Sequence, residues 1–222
     1  MKASKKQYNF LVAGPQGSGK GTQAELLAEK FNLNYAGAGQ MLRQAAKQKT
    51  AFGRKVALAT KQGKLVPSAW VVALAKKEIK QTAQNQGLVF DGFARLLPEA
   101  KALQKMLGKI NRPITAVFLI DISTKETIKR LSKRRQCANG HLFISGKTLK
   151  KIRKTCPQCG AKIFQREDDQ PKAIQERLKN YHQKTKPALD YFKKQGLLIK
   201  INGQQPVKKV FSDILKVIKK FS

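Results

Sequence analysis

Apolar positions along the chain fall into two alternating patterns. Short continuous runs at 10–13, 88–90, 116–122 and 197–201 read as strands buried on both faces. Between them, apolar residues recur three and four apart, as one face of a helix requires. Leu26, Leu27 and Phe31 mark such a face over 23–31. Val71, Val72, Leu74, Ala75 and Ile79 mark another, with Ser68 as its N-cap. Ser123 and Glu126 form a capping box ahead of Ile128 and Leu131. A long helix is expected over 171–192 and a last one over 206–221. Strands alternating with helices predict an α/β fold, a parallel sheet with helices on both faces. Two segments interrupt the alternation. Residues 37–66 read as helical with no strand of their own. Residues 134–169 carry the cysteines, turn residues and short apolar stretches. Both read as insertions carried by the sheet.

Composition narrows the picture. Of the 222 residues, 41% are hydrophobic, enough for a core and too many for a disordered tail. No apolar run approaches the ~20 residues of a membrane helix. The first run ends at Gly14 and Pro15, so no secretory leader is expected and the chain is placed in the cytoplasm. Lys and Arg number 46 against 13 acidic residues, a formal charge of +33. Such a chain attracts polyanions: nucleic acid, an anionic membrane surface or a phosphate-rich ligand. A solvated basic surface is the plainer reading. Three cysteines are too few for a disulfide framework, and the Cys156-Pro157-Gln158-Cys159 spacing points to metal or redox chemistry.

The most specific motif is Gly14-Pro15-Gln16-Gly17-Ser18-Gly19-Lys20, which follows the first strand and opens the first helix. It fits the phosphate-binding loop, in which backbone N–H groups turn inward around phosphate oxygens and a helix N-terminus adds its positive end. Lys20 can bridge the β- and γ-phosphates. Gly21 stands where the general loop has Ser or Thr, and the hydroxyl comes at Thr22.

Extended to Gln23, the loop resembles that of the adenylate kinase family of nucleoside monophosphate kinases. Asp91-Gly92-Phe93-Ala94-Arg95 resembles that family's Asp-Gly-Phe-Pro-Arg. Gly63-Lys64-Leu65-Val66-Pro67 resembles the segment after its monophosphate-binding insertion. Arg134-Arg135-Gln136-Cys137 and Gln165-Arg166-Glu167-Asp168-Asp169 resemble the two ends of its lid, and Asn180-Tyr181-His182 follows as in its next helix. The resemblance spans nearly the whole chain. It implies a P-loop nucleotide kinase: a five-stranded parallel core (1–36, 67–133 and 170–222), a monophosphate-binding insertion at 37–66 and a lid at 134–169. It implies a monomer that runs ATP + AMP = 2 ADP reversibly with magnesium.

Phosphoryl transfer between two nucleotides asks the protein mainly for positioning and charge neutralisation. Arginine suits this, because its planar fork holds phosphate oxygens bidentately and stays charged. By the resemblance, Lys20, Arg134 and Arg166 hold the transferring phosphates, Arg43 and Arg95 clamp the monophosphate, and Arg177 reaches in from the long helix. The loop residues Gly17, Ser18, Gly19, Lys20, Gly21 and Thr22 cradle ATP, Arg130 and Gln205 lie by its adenine or ribose, and Phe143 either stacks on that adenine or packs within the lid. Ala38, Lys64, Val66, Gly92 and Glu99 belong to the monophosphate site, to which Arg166 and Arg177 also contribute. Asp91 orders the magnesium hydration shell. Asp168 and Asp169 are closure contacts in a cationic lid, with Asp169 alternatively an N-cap. No general base is needed; exclusion of water is.

Cys156-x-x-Cys159-Gly160 has the spacing of a zinc knuckle. Cys137 supplies an earlier ligand, but the position three residues on is Gly140, so His141 is the nearest fourth donor. The result is Cys-x3-His followed by Cys-x2-Cys, one residue off the family's usual opening. A Cys3His structural zinc is expected, with a redox pair or inert thiols as alternatives. His182 is expected to pack on its helix.

The monophosphate base is less determined. Ala38 replaces the threonine of adenylate kinases, as in uridylate/cytidylate kinases, and Gln40 replaces an aspartate. Glu99 stands where adenylate kinases carry a glutamine that reads adenine. An ionised glutamate only accepts hydrogen bonds, which suits guanine better; pointing to solvent or pairing with a lysine is the alternative. AMP is the expected acceptor, with GMP, CMP or UMP in reserve. A competing class is nucleic-acid binding, on the lysine and arginine run at 147, 150, 151, 153 and 154, on Lys208, Lys209, Lys216, Lys219 and Lys220, and on Lys2, Lys5 and Lys6.

Overall fold

The structure is a computed structural model that describes residues 7–144 and 154–221. Its strands are β1 (Asn9–Ala13), β2 (Asn34–Gly37), β3 (Leu88–Asp91), β4 (Ala116–Asp121), β5 (Arg134–Cys137), β6 (Leu142–Ile144), β7 (Ile163–Phe164) and β8 (Leu198–Asn202). Its helices are α1 (Lys20–Phe31), α2 (Ala38–Ala46), α3 (Ala51–Lys61), α4 (Ser68–Gln81), α5 (Leu97–Gly108), α6 (Thr124–Lys133), α7 (Pro171–Asn180), α8 (Lys186–Lys194) and α9 (Val207–Ile218). Five strands form a parallel sheet in the order β2-β3-β1-β4-β8.

The central strands are continuous apolar runs because both sheet faces are covered. On β1, Leu11 and Ala13 point to one side with Leu88, Phe90 and Val117, and there meet α4, α5 and α8 through Val71, Leu103 and Phe192. Phe10 and Val12 point to the other side with Val89, Phe118 and Ile120, against Leu27 of α1 and Ile214 of α9. Phe10, Phe90, Phe118 and Phe192 are fully buried, each worth about 1.5–3 kcal/mol by area removed from water.

Four readings need correction. Residues 37–66 begin with the last residue of β2, a strand the apolar pattern does not announce: Asn34-Tyr35-Ala36-Gly37 has no β-branched residue and pairs on one side alone, with β3. The helix α5 packs Ala100, Leu103 and Leu107 into the core yet has no place in the pattern reading. Ser68 is the first residue of α4, and the N-cap is Pro67. The long helix expected over 171–192 is α7 and α8 joined by a wider π turn at Tyr181–Thr185, just ahead of Pro187, which has no N–H to give the preceding turn. The Ser123 hydroxyl does cap α6, accepting from the Glu126 N–H at 3.2 Å.

Outside the main sheet, β5, β6 and β7 form a three-stranded antiparallel sheet of their own in the order β6-β5-β7. No helix among the described residues is long and apolar enough to cross a membrane.

Candidate active site

The phosphate loop lies between β1 and α1, at the carboxyl end of the sheet. Gly14 has φ 146°, and a Cβ there would come within 2.4 Å of the Ile120 carbonyl oxygen on β4, so no side chain fits. Gly21 explains the loop's departure from the general pattern: a Cβ would lie 3.2 Å from Asp91 Oδ2. The site uses that space for the carboxylate at the end of β3. Asp91 Oδ2 accepts from the Tyr35 hydroxyl at 3.1 Å, while its Oδ1 is buried without a hydrogen-bond partner. An orphaned carboxylate oxygen beside a phosphate loop fits a contact to a magnesium ion's water shell. Tyr35 was invisible in the sequence because its strand was. Burial and the adjacent Asp91 raise its hydroxyl pKa well above the usual range.

Six cations from five parts of the chain converge in front of the loop. Burial lowers the Lys20 ammonium to about 7, with Asp91 opposing and Arg95, Arg177 and Arg134 adding to the fall. Arg166 is pushed down to about 9 by burial and by Arg134 and Arg43. Arg177 is pushed down to about 10 by burial, against Asp168 and with Arg134 and Arg95. Burial also lowers Arg43, where Asp168 opposes and Arg134 adds. Each cation therefore lies within the field of others, an arrangement that polyphosphate relieves.

Two buried aspartates hold this array. Asp169 takes a bidentate pair from Arg134, at 2.7 Å from Nε and 2.6 Å from Nη2. It is 1% exposed. It does not cap α7, whose N-cap is Gln170. Asp168 accepts from Arg177 at 2.8 Å. Burial alone would raise its carboxyl, but Arg177, Arg134, Arg166 and Arg43 together hold it below the usual range. Arg166 donates to Gln136 Oε1, a side chain given no role by sequence.

Beside these cations opens a solvent-connected cavity with about 730 Å3 of empty space. Arg43, Arg95, Arg177, Lys64, Val66, Ala38, Gly92 and Glu99 all line it, and of the residues assigned to the monophosphate Arg166 alone is not in its lining. Arg95 Nε donates to the Gly92 carbonyl at 3.0 Å. Glu99 neither points to solvent nor pairs with a lysine. It is 4% exposed, and its Oε2 accepts from the N–H groups of Arg95 at 2.9 Å and Leu96 at 3.3 Å, closing the first turn of α5. Ala94 has φ 55°, a conformation closed to the family's proline.

The residues expected at the ATP base make contacts of their own within the protein. Arg130 braces the loop: it pairs with Glu126 at 2.7 Å and donates to the carbonyls of Gly17 at 3.3 Å and Gly203 at 2.9 Å. Gln205 donates to the Asn202 carbonyl and to Asp213, both at 2.9 Å. Phe143 is 5% exposed and packs with Cys137 and Cys156 inside the lid. Its ring is used within the lid rather than presented to a base. The outward neighbours are Leu142 and Phe164.

Cys137, His141, Cys156 and Cys159 form one group whose donor atoms all lie within 4.8 Å of one another. His141 Nδ1 is 3.4 Å from the sulfurs of both Cys137 and Cys156, and Cys137 Sγ is 3.8 Å from Cys159 Sγ. A tetrahedral ion with sulfurs at about 2.3 Å and nitrogen at 2.0–2.1 Å needs donors about 3.5–3.8 Å apart. The set therefore fits a structural zinc, and the cysteines are free. His182 lies outside this group, edge-on to Tyr181.

Comparison with known proteins agrees with this geometry. A family model described as "Adenylate kinase" matches residues 12–197. An adenylate kinase of Methanothrix thermoacetophila is 37% identical over 213 residues, covering 96% of this chain and 99% of that protein. One from Methanocella arvoryzae is 38% identical over 217 residues, again covering 96% and 99%. One from Archaeoglobus fulgidus is 34% identical over 213 residues, covering 96% and 98%. The chain belongs to the adenylate kinase family.

Proposed function

We propose that this protein moves the terminal phosphoryl group of ATP reversibly to AMP, giving two ADP, and that it does so by holding two nucleotides end to end among Lys20, Arg43, Arg95, Arg134, Arg166 and Arg177. The observation that carries the reading is the mutual field of these cations, contributed by the phosphate loop, α2, the turn after β3, the lid strands and α7. Lys20 and the N–H groups of 17–22 bind the ATP phosphates, Arg43 and Arg95 fix the acceptor phosphate, and Arg134, Arg166 and Arg177 take up the charge on the group in flight. Asp91 orients magnesium's waters, and the magnesium neutralises the β- and γ-phosphates when bound. In this reading 37–66 is the monophosphate-binding insertion and 134–169 a lid that excludes water. Cys137, His141, Cys156 and Cys159 hold the zinc that shapes the lid. We place the protein in the cytoplasm as a monomer.

A coupled assay of ATP with AMP, CMP, UMP and GMP tests the reaction and the acceptor together. Arg95→Ala is expected to cut transfer about 10²-fold or more, the scale of a misplaced acceptor, with far-UV circular dichroism unchanged. Near-parental turnover would count against the assignment. The nucleic-acid alternative rests on basic runs together with the zinc knuckle. Of its lysine and arginine run, 147, 150, 151 and 153 lie outside the described residues, as do Lys2, Lys5 and Lys6.

A further inference from the structure

The cavity lining divides into two chemistries. Arg43, Arg95 and Arg177 form its cationic side; Ala38, Leu42 and Val66 are apolar. Glu99 stands at the junction of the two: it accepts from the Arg95 N–H and also borders a small void lined by Val71, Phe93, Ala94 and Leu103. Of the other polar side chains, the Thr60 hydroxyl donates to the Val56 carbonyl, Asp168 holds Arg177 and Asn180 donates to Glu176, while Gln16, on the phosphate loop, has an unpartnered Oε1. A nucleobase lying on the apolar residues, with its phosphate on the arginines, leaves Gln16 to the phosphate loop and meets the Glu99 carboxyl as a buried group able to discriminate its edge.

That carboxyl is asymmetric. Two backbone N–H groups donate to Oε2, which fixes it as the acceptor oxygen and leaves Oε1 as the seat of any proton. Adenine presents a lone pair at N1, and an ionised carboxylate has nothing to donate to it. We propose, on the phosphotransfer reading above, that Glu99 reads the acceptor's base and takes a proton from solvent onto Oε1 when that base is adenine, donating it to N1, so that AMP binds with uptake of a proton. Guanine carries hydrogens at N1 and N2, so GMP needs no such uptake.

The surroundings favour this. Burial raises the Glu99 carboxyl above its usual range; the N–H groups of Leu96 and Arg95, the Arg95 guanidinium and the Ser68 hydroxyl on α4 oppose it. Arg43 on α2, Lys64, Asp168 just ahead of α7 and Arg177 in the last turn of α7 are the other charged groups on the cavity. On α8, the nearest polar link to α5 is the Tyr191 hydroxyl donating to Gln104, further along the helix. The cations around the cavity pull the carboxyl toward ionisation. An acceptor phosphate bound on them cancels that pull, so the ligand that needs the proton also favours it.

The test is the Michaelis constant for AMP from pH 7 to 9, at saturating magnesium–ATP, in the parent protein and in Glu99→Gln. Above pH 7 the AMP phosphate is already dianionic (second pKa about 6). The parent constant is expected to climb up to about tenfold per pH unit beyond the bound carboxyl's pKa. In Glu99→Gln, whose amide oxygen can still accept from the two N–H groups and whose NH2 donates without a proton from solvent, the slope is expected to vanish. Calorimetry of AMP binding in two buffers of different ionisation enthalpy is expected to register up to one proton taken up by the parent, and none with GMP. A flat profile in the parent, or AMP binding with no proton uptake, overturns the proposal. The kinase reading fails separately, by absence of ADP formation with any monophosphate.

Discussion

Lys20 illustrates how far one residue's behaviour departs from its type. A lysine in an unfolded chain keeps its proton to about pH 10.4, whereas Lys20 in the fold releases it near 7. Between those values the unfolded chain binds the extra proton, so this lysine's cost to stability is full below pH 7 and fades as pH rises toward 10. Lys20→Met removes the cost along with the charge. The nucleotide-free variant is expected to be inactive and to melt several degrees above the parent at pH 7, with the gap closing toward pH 10. Scanning calorimetry across that range checks it, and a gap that widened with pH would contradict the sign. The motif around Lys20 was legible in the sequence because glycines at fixed spacing have few other uses. Glu99 was legible as a departure, but the structural part it plays was not: a carboxylate capping its own helix looks the same in sequence as one facing solvent.

At the scale of elements, the sequence was most legible where apolar residues run together. The central strands and α1, α4 and α9 follow from periodicity because packing on two faces demands it. The edge strand β2 and the lid strands were not legible, since they are short and owe their pairing to neighbours distant in sequence. Missing β2 also hid Tyr35, the partner of Asp91. The lid shows why such an element needs more than apolar contact. Its buried cluster is Cys137, Phe143 and Cys156, with Ala161 and Ile163 partly covered, too little to hold β5, β6 and β7 in place. A fourfold Cys3His site supplies the missing constraint. Cys156→Ser is expected to take metal content from about one zinc per chain toward zero. Turnover should fall at least tenfold, because Arg134 on β5 and Arg166 beyond β7 lose their frame. The main sheet, whose two hydrophobic clusters do not include the lid, should keep its melting transition. Metal analysis with an activity assay and a thermal scan separates these outcomes; full activity in a zinc-free variant would remove the structural role.

Across the whole molecule, charge rather than packing sets the response to ligand. Acidic groups number 13 against 46 basic ones, and several of the few are committed inside the site: Asp168 and Asp169 to guanidinium groups, Asp91 to Tyr35, Glu99 to its helix. The cations that line the site therefore repel one another across separate parts of the fold, with Asp168 and Asp169 as the buried carboxylates paired to guanidinium groups between them. One nucleotide relieves part of that repulsion; two nucleotides joined through their phosphates relieve it everywhere at once and tie insertion, lid and core to a single ligand. A dinucleoside polyphosphate long enough to span both subsites is accordingly expected to raise the melting temperature well beyond ATP at the same concentration, by RT ln(1 + [L]/Kd) with the smaller Kd of a ligand that fills both. The excess should shrink between 0.1 and 1 M NaCl, as the screening length falls from about 10 to 3 Å. Equal shifts from the two ligands would mean that the cations serve one nucleotide, and the end-to-end arrangement would have to be abandoned.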